Sequence, residues 1–275
     1  MGEVLPGDAD QLESGGHFTV IPADIPGQPL EFFFNLRKSP TDDPLVRRAL
    51  LSAADRTALV STVFGAHSPV AAGPLTAATW GAAAVVPEDS FDRGAAENLL
   101  RQAGWVDSDG DGVRDKAGDV LRLTVVYPPW GLTPQAAELL DMQWREVGAD
   151  VDLIQAASFS ALMDAQAGGA YHLIAWNQAG TDPDLLRPFY HSDGAYNWSG
   201  IEDAELDGLL DAAVAAGDSA RRLDLYRRAQ EVIARECAVL PLRDYVNLNV
   251  AAGRVKGLRF SPQGWFPVLI DAELM

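Results

Sequence analysis

Apolar positions along the chain follow two alternating rhythms. "LEFFFNL" (residues 30–36) is a short, almost unbroken apolar and aromatic run, which predicts a buried strand. "SPTDDPLVRRALLSAADRTALVSTVFG" then switches to helical spacing. Leu45, Ala49 and Ala53, with Val46 and Leu50 beside them, form one stripe, and Asp43 followed by Pro44 supplies a cap and a first-turn proline. Residues 68–90 are rich in Ala, Gly and Pro and carry no period, so a long loop crossing a surface is expected there.

From Phe91 the pattern is regular. "DRGAAENLLRQAGW" predicts a helix closed by Gly104, and "LRLTVVY" a strand in which Leu121, Leu123, Val125 and Tyr127 alternate with other residues. Thr133 reads as the cap of a helix that Gly148 ends; "ADVDLI", "SFSALMDAQAGG" and "AYHLIAW" follow as strand, helix and strand. Two further helices, "EDAELDGLLDAAVAAG" and "DSARRLDLYRRAQEVIARE", precede the strand-like "CAVLPLRDYVNLNVA" and "VKGLRF". Strands and helices in alternation at these lengths require crossover connections, hence an α/β fold with a mainly parallel sheet flanked by helices. In such sheets ligands sit beyond the carboxyl ends of the strands. Those ends are "YPPWG" (127–131) and "WNQAGTDPD" (176–184).

Composition narrows the partners. With 39 acidic against 21 basic residues the net charge is −18, a field that repels nucleic acid and anionic membrane. The single cysteine, Cys237, excludes an internal disulfide and reads as a buried structural thiol. No apolar run approaches the roughly 18 residues of a membrane span, and "MGEVLPGDADQLESGG" has neither the basic start nor the apolar stretch of a secretory signal.

Catalytic motifs are scarce. His17, His67, His172 and His191 are scattered, no Ser or Cys occupies a nucleophile motif, and "GDGVRD" matches no phosphate loop. The strongest local signal is "WVDSDGDGVRD". Counted from Asp107, a calcium loop of the EF-hand kind would use Asp107, Asp109, Asp111, the Val113 carbonyl and Asp115, with Gly112 at the sharp turn. Its twelfth position, however, is Gly118 instead of Glu, and a strand follows instead of a helix. The loop is therefore no EF-hand switch; it is either a calcium site with fewer ligands or a tight turn built on Asp and Gly. Among the seven tryptophans, Trp130 and Trp176 stand at the strand ends facing the expected cleft, as ligand contacts would; Trp80, Trp198 and Trp265 lie in loops.

Taken in order, "FFFNLRKSPTDDPLVRRALLSAADRTALVSTVFG", "AGPL", "AENLLRQAGWVDSDGDGVRD", "DPDLLRPFYHSDGAYNWSGIEDAELDGLL", "RRLDLYRRAQEVIARECAVLPL" and "RVKGLRF" resemble the family 5 extracellular solute-binding proteins of ABC transporters, the dipeptide, oligopeptide and nickel binders. The resemblance implies a lobe of the type II periplasmic-binding-protein fold. Residues 1–29 would be the tail end of the N-terminal lobe and hinge approach, and residues 30–275 the C-terminal lobe with hinge-proximal strands. An export signal and most of the first lobe are then expected upstream. It implies a receptor and not a catalyst, extracytoplasmic (periplasmic or membrane-tethered), whose partners are a peptide-class or oligosaccharide-class solute, ABC permease subunits and the first lobe, with no nucleic acid. No cofactor is required by it, and calcium in the acidic loop remains a candidate. In peptide-binding members an Asp three residues after the Trp pairs with the peptide ammonium; here the stretch is Trp176, Asn177, Gln178, Ala179, and the anchoring position is Ala179. Asn177 and Gln178 would then hydrogen-bond a neutral or differently anchored solute lying on Trp176, and Asp182 is either a substitute anchor or the cap of the helix at Pro183. Two readings from other classes stay open: a hydrolytic enzyme on the same scaffold, marked by an acid–base pair within residues 176–184, and a stand-alone calcium-stabilised module.

Overall fold

The computed structural model describes residues 4–86, 90–261 and 266–275. The chain opens with α1 (Pro6–Ser14), then β1 (Phe18–Asp24) and β2 (Gly27–Phe34). Next come α2 (Pro44–Ser52), α3 (Arg56–Phe64) and, after an irregular stretch, α4 (Arg93–Gln102). A hairpin of β3 (Asp115–Lys116) and β4 (Asp119–Val120) leads into β5 (Arg122–Tyr127), α5 (Thr133–Arg145), β6 (Asp150–Gln155), α6 (Phe159–Gly168) and β7 (Leu173–Ala179). The short α7 (Leu186–Tyr190), the pair α8 (Ala204–Ala215) and α9 (Ser219–Arg235), and strands β8 (Val239–Arg243) and β9 (Val246–Ala252) complete the main architecture. Among the described residues no helix is long and apolar enough to cross a membrane.

The central sheet has the order β6–β5–β7–β2–β8. β5 runs parallel to β6 and β7, and β2 runs antiparallel to β7 and β8, so four of the five strands point one way and β2 alone runs back. The crossover helices enforce the parallel part, as the alternating pattern requires. β2 enters differently: it leaves β1 through a two-residue turn with no helix between them, and so starts at the edge where its neighbours end. Gly27 makes that entry at φ 141°, with Gln178 O only 2.0 Å from where a Cβ would stand, so no side chain fits there. Both faces of the sheet are covered. Leu30, Phe32, Phe34, Leu123, Val125, Leu173 and Ala175 pack on α2–α5, while Phe33, Val126 and Ile174 pack on α6–α9. Period-two burial of this kind is what the apolar strands encode.

Several local expectations change. The helical stripe after Asp43 splits in two, because Asp55 accepts a hydrogen bond from Ala58 N (2.9 Å) and starts α3 afresh. Thr133 is not a cap: Gly131 (φ 61°) turns the chain one residue early, Leu132 takes the cap position, and Thr133 is the first helical residue. The aperiodic stretch is irregular over its described residues, 68–86 and 90, and alternates between exposed and buried positions. Ala71, Leu75, Thr76 and Thr79 are buried, Val70 bridges to Arg243 on β8, and the Thr79 hydroxyl accepts from Gly27 N (2.7 Å). The edge strand and the β1–β2 turn need this cover, since exposed edge groups would otherwise lack partners. Cys237 is a free, buried thiol, and burial pushes its pKa up.

β1 and β9 form a separate antiparallel ribbon, paired from Phe18↔Ala252 to Asp24↔Val246. It has its own small core, in which Ala9 of α1 meets Val20, Val246, Leu248 and Val250.

Candidate functional site

A groove of about 380 Å³ opens beyond the carboxyl ends of β5, β7 and β8. The β5–α5 turn supplies Trp130, Gly131, Leu132 and Thr133; β7 supplies Asn177; β2 supplies Leu30; the end of α3 supplies Phe64. Arg243, Tyr245 and Asn247 close one side, and the Val4–Pro6 segment another. A larger hollow, about 590 Å³, lies at the opposite ends of the strands around Ser39, Trp105, Lys116 and His172. The carboxyl-end groove carries the functional argument, because turns there are free to vary while the sheet holds them in place. His172 in the other hollow is fully used as a structural link: its Nδ1 accepts from Thr124 N (2.8 Å) and its Nε2 lies 2.9 Å from Ser39 O, and burial pushes its pKa down to about 4.

The predicted site residues divide. Trp130 and Asn177 line the groove, Trp130 with 38% of its surface exposed. Trp176 is half-buried behind Trp130. Its ring lies 6.1 Å from Trp130, 5.6 Å from Phe159 and 5.3 Å from Trp198, and its Nε1 is buried without a partner. Strand alternation turns Gln178 to the face of Trp176, where its Nε2 donates to Ala179 O (3.2 Å); Ala179 is exposed and pairs with Gly27. Asp182 stands outside the groove. It accepts from Asp184 N (2.8 Å) and from Arg222 Nη2 (2.7 Å); burial works against its charge, but these partners hold its pKa low. Asp184 in turn accepts from the Tyr226 hydroxyl (3.0 Å). Trp198 is a core residue, Trp80 lies under Arg222 at 5.5 Å, and Trp265 falls outside the described residues.

Below Trp176, on its cross-strand neighbour, Glu31 is fully buried. Burial lifts its pKa well above the usual carboxylate range, and the Tyr190 hydroxyl donates to it at 3.1 Å.

In the acidic loop, Asp107, Asp109 and Asp111 offer oxygens within 4.8 Å of one another, all exposed. Each already accepts backbone hydrogen bonds: Asp107 from Gly110 N (2.7 Å) and Gly112 N (3.1 Å), Asp109 from Asp111 N (3.2 Å), and Asp111 from Val113 N (2.8 Å). Asp115 is turned to Ser108, accepting from its backbone N–H at 3.1 Å and from its hydroxyl, and does not join the group.

Arg243 was not foreseen. It sits in an apolar strand segment with nothing in its neighbourhood to mark it, and only the fold brings it against Phe64 (4.2 Å from guanidinium carbon to ring centroid) and Ser68.

Residues 1–200 match the family described as "Bacterial extracellular solute-binding proteins, family 5 Middle". The chain belongs to that family. Among family 5 relatives, heme-binding protein A of Haemophilus influenzae is 26% identical over 247 residues, covering 87% of this chain and 44% of that protein. The dipeptide-binding protein of Pseudomonas aeruginosa is 23% identical, covering 94% and 48%. Among solved structures, NikA from Brucella suis in complex with Fe(III)-EDTA superposes with a TM-score of 0.88 at 21% identity, covering 99% of this chain and 56% of that one. The α/β lobe with its mostly parallel sheet is thus the fold of this family, and the chain spans about half the length of the relatives it matches.

Proposed function

We propose that this chain is the C-terminal lobe of a solute-binding receptor, and that its groove is one wall of the site that captures a peptide-like or oligosaccharide-like solute for an ABC importer. The observation that carries this is the groove itself: an aromatic and hydrogen-bonding surface, Trp130 beside Asn177, open at the carboxyl ends of the strands. The acids of residues 176–184, Asp182 and Asp184, are each engaged by Arg222 or Tyr226 and form no free acid–base pair there, which favours a receptor over a hydrolytic enzyme. The acidic loop, whose Asp107, Asp109 and Asp111 each accept backbone hydrogen bonds within the loop, supports a connection more than a stand-alone calcium module. The relatives that carry heme or dipeptide in their names support the receptor reading, and their greater length supports a second wall on a first lobe. On this reading residues 1–29 approach the hinge, and the ribbon of β1 with β9, with its own small core, is where the lobes join. The solute would bridge both walls and shift the population to a closed form that permease subunits read outside the cytoplasmic membrane.

The test is a panel of peptides and oligosaccharides against a protein carrying both lobes, read by tryptophan fluorescence, with mass spectrometry of the solute afterwards. We expect binding of an unaltered solute, weakened about tenfold by Trp130→Ala through loss of a stacked aromatic. Conversion of the solute to product would instead assign an enzyme.

A further inference from the structure

The groove reverses the charge balance of the chain. Acidic residues outnumber basic ones 39 to 21 overall, yet the only charged residue lining the groove, among the described residues, is Arg243. Its guanidinium lies over two rings, 4.2 Å from the centroid of Phe64 and 4.6 Å from that of Tyr245. Nη1 has the Ser68 hydroxyl at 3.2 Å, and Nε is buried without a partner. Among the described residues no carboxylate forms an ion pair with it, whereas Arg187, Arg222 and Arg227 each hold one at 2.7–2.8 Å. The adjacent Asp244 accepts from Ala77 N (2.8 Å) and forms no ion pair with Arg243, although its charge attracts the guanidinium. Burial pushes the Arg243 pKa down to about 10, which still leaves it cationic at neutral pH.

A guanidinium in this setting has one unmet need. Two rings lie against it and its Nε is buried without a partner, and a poorly solvated cation with an unpaired donor is costly. Arginine's planar fork matches a carboxylate, and a charge-assisted pair is the strong form of that bond.

We propose that Arg243 determines specificity by receiving the carboxylate of an anionic solute whose apolar body lies along Leu132 and Trp130. This rests on the groove being the solute site. The solute class is then a carboxylic acid, a peptide-like molecule held by its acid end among them, and not a cationic or sugar-only ligand.

The probes are N-acetyl-leucyl-leucine and its C-terminal amide, identical but for the charge, titrated into the 275-residue chain to tens of millimolar with tryptophan fluorescence as readout. The acid should bind about tenfold more tightly than the amide, as loss of one charge-assisted pair implies. Arg243→Gln should remove that preference and leave the amide's affinity within about twofold. Arg243→Lys, which keeps the charge and loses the fork, should fall between. If Arg243→Gln does not fold, the wild-type comparison and its weakening by added salt decide the matter. Equal binding of acid and amide overturns the inference and leaves the receptor reading intact. An acid preference that survives Arg243→Gln overturns it too, because the anchor is then elsewhere. If neither probe binds here nor any panel member binds the two-lobe protein, the receptor reading falls and this inference with it.

Discussion

Glu31 shows what a single residue does to the energetics of the sheet. Its carboxyl is enclosed between β7 and β8, facing Tyr190, with one oxygen, Oε2, left without a partner. The folded state therefore holds a proton that the unfolded chain releases near pH 4.5. Because the native state binds more protons above that pH, its stability falls as pH rises from about 4.5 toward the raised native value. Glu31→Gln removes the titration while keeping the shape and the acceptor for Tyr190. It should raise the melting temperature at pH 8 and flatten the decline between pH 5 and 8; equal slopes for both proteins would mean that Glu31 is ionised in the fold. Arg243 is the corresponding case in the groove, and it marks where reading the sequence stops. A cation is informative through what does not pair with it, and that is fixed by Phe64, Ser68 and Tyr245, two of them more than 170 residues away along the chain.

At the scale of elements most of the fold was legible. Periodicity placed strands at residues 121–127, 149–154 and 170–176 and helices between them, against 122–127, 150–155 and 173–179 in the fold, because each buries one face and must repeat at its own period. The misses come from hydrogen-bond competition and long-range topology. Asp55 restarts a helix inside a continuous stripe, Gly131 shifts a cap by one residue, and the reversed direction of β2 follows from a turn held by Thr79, 52 residues on. The acidic loop is intermediate: its spacing brings Asp107, Asp109 and Asp111 together, but the Asp115 carboxylate turns to Ser108. Its aspartates act as backbone acceptors, so the element behaves as a set of Asx turns. Asp107→Ala, which removes the acceptor for both Gly110 and Gly112, should cost about 1 kcal/mol and lower the melting temperature by roughly 2–4 °C, with or without chelator. A rise in melting temperature with millimolar calcium that disappears in Asp109→Ala would assign the loop to an ion instead.

At the scale of the whole molecule, the two large cores flank one five-stranded sheet, and the β1–β9 ribbon stands apart on its own few apolar residues. That arrangement predicts how the chain behaves alone. The chain has ample buried surface to fold cooperatively, so a single melting transition is expected for the sheet and its helices. Binding is another matter. A tight small-molecule site encloses about 70–90% of its ligand, and the groove offers a floor and two sides, with Trp130 and Asn177 facing open space. A solute resting there keeps much of its surface in water while still losing its translational and rotational freedom, so little net affinity remains. Isothermal calorimetry of the chain with N-acetyl-leucyl-leucine should therefore give millimolar dissociation constants, several kcal/mol short of the micromolar range or better that an enclosed site reaches. Sub-micromolar binding of any peptide or sugar by this chain alone would show that the groove is already a complete site, and the two-lobe reading would have to be given up.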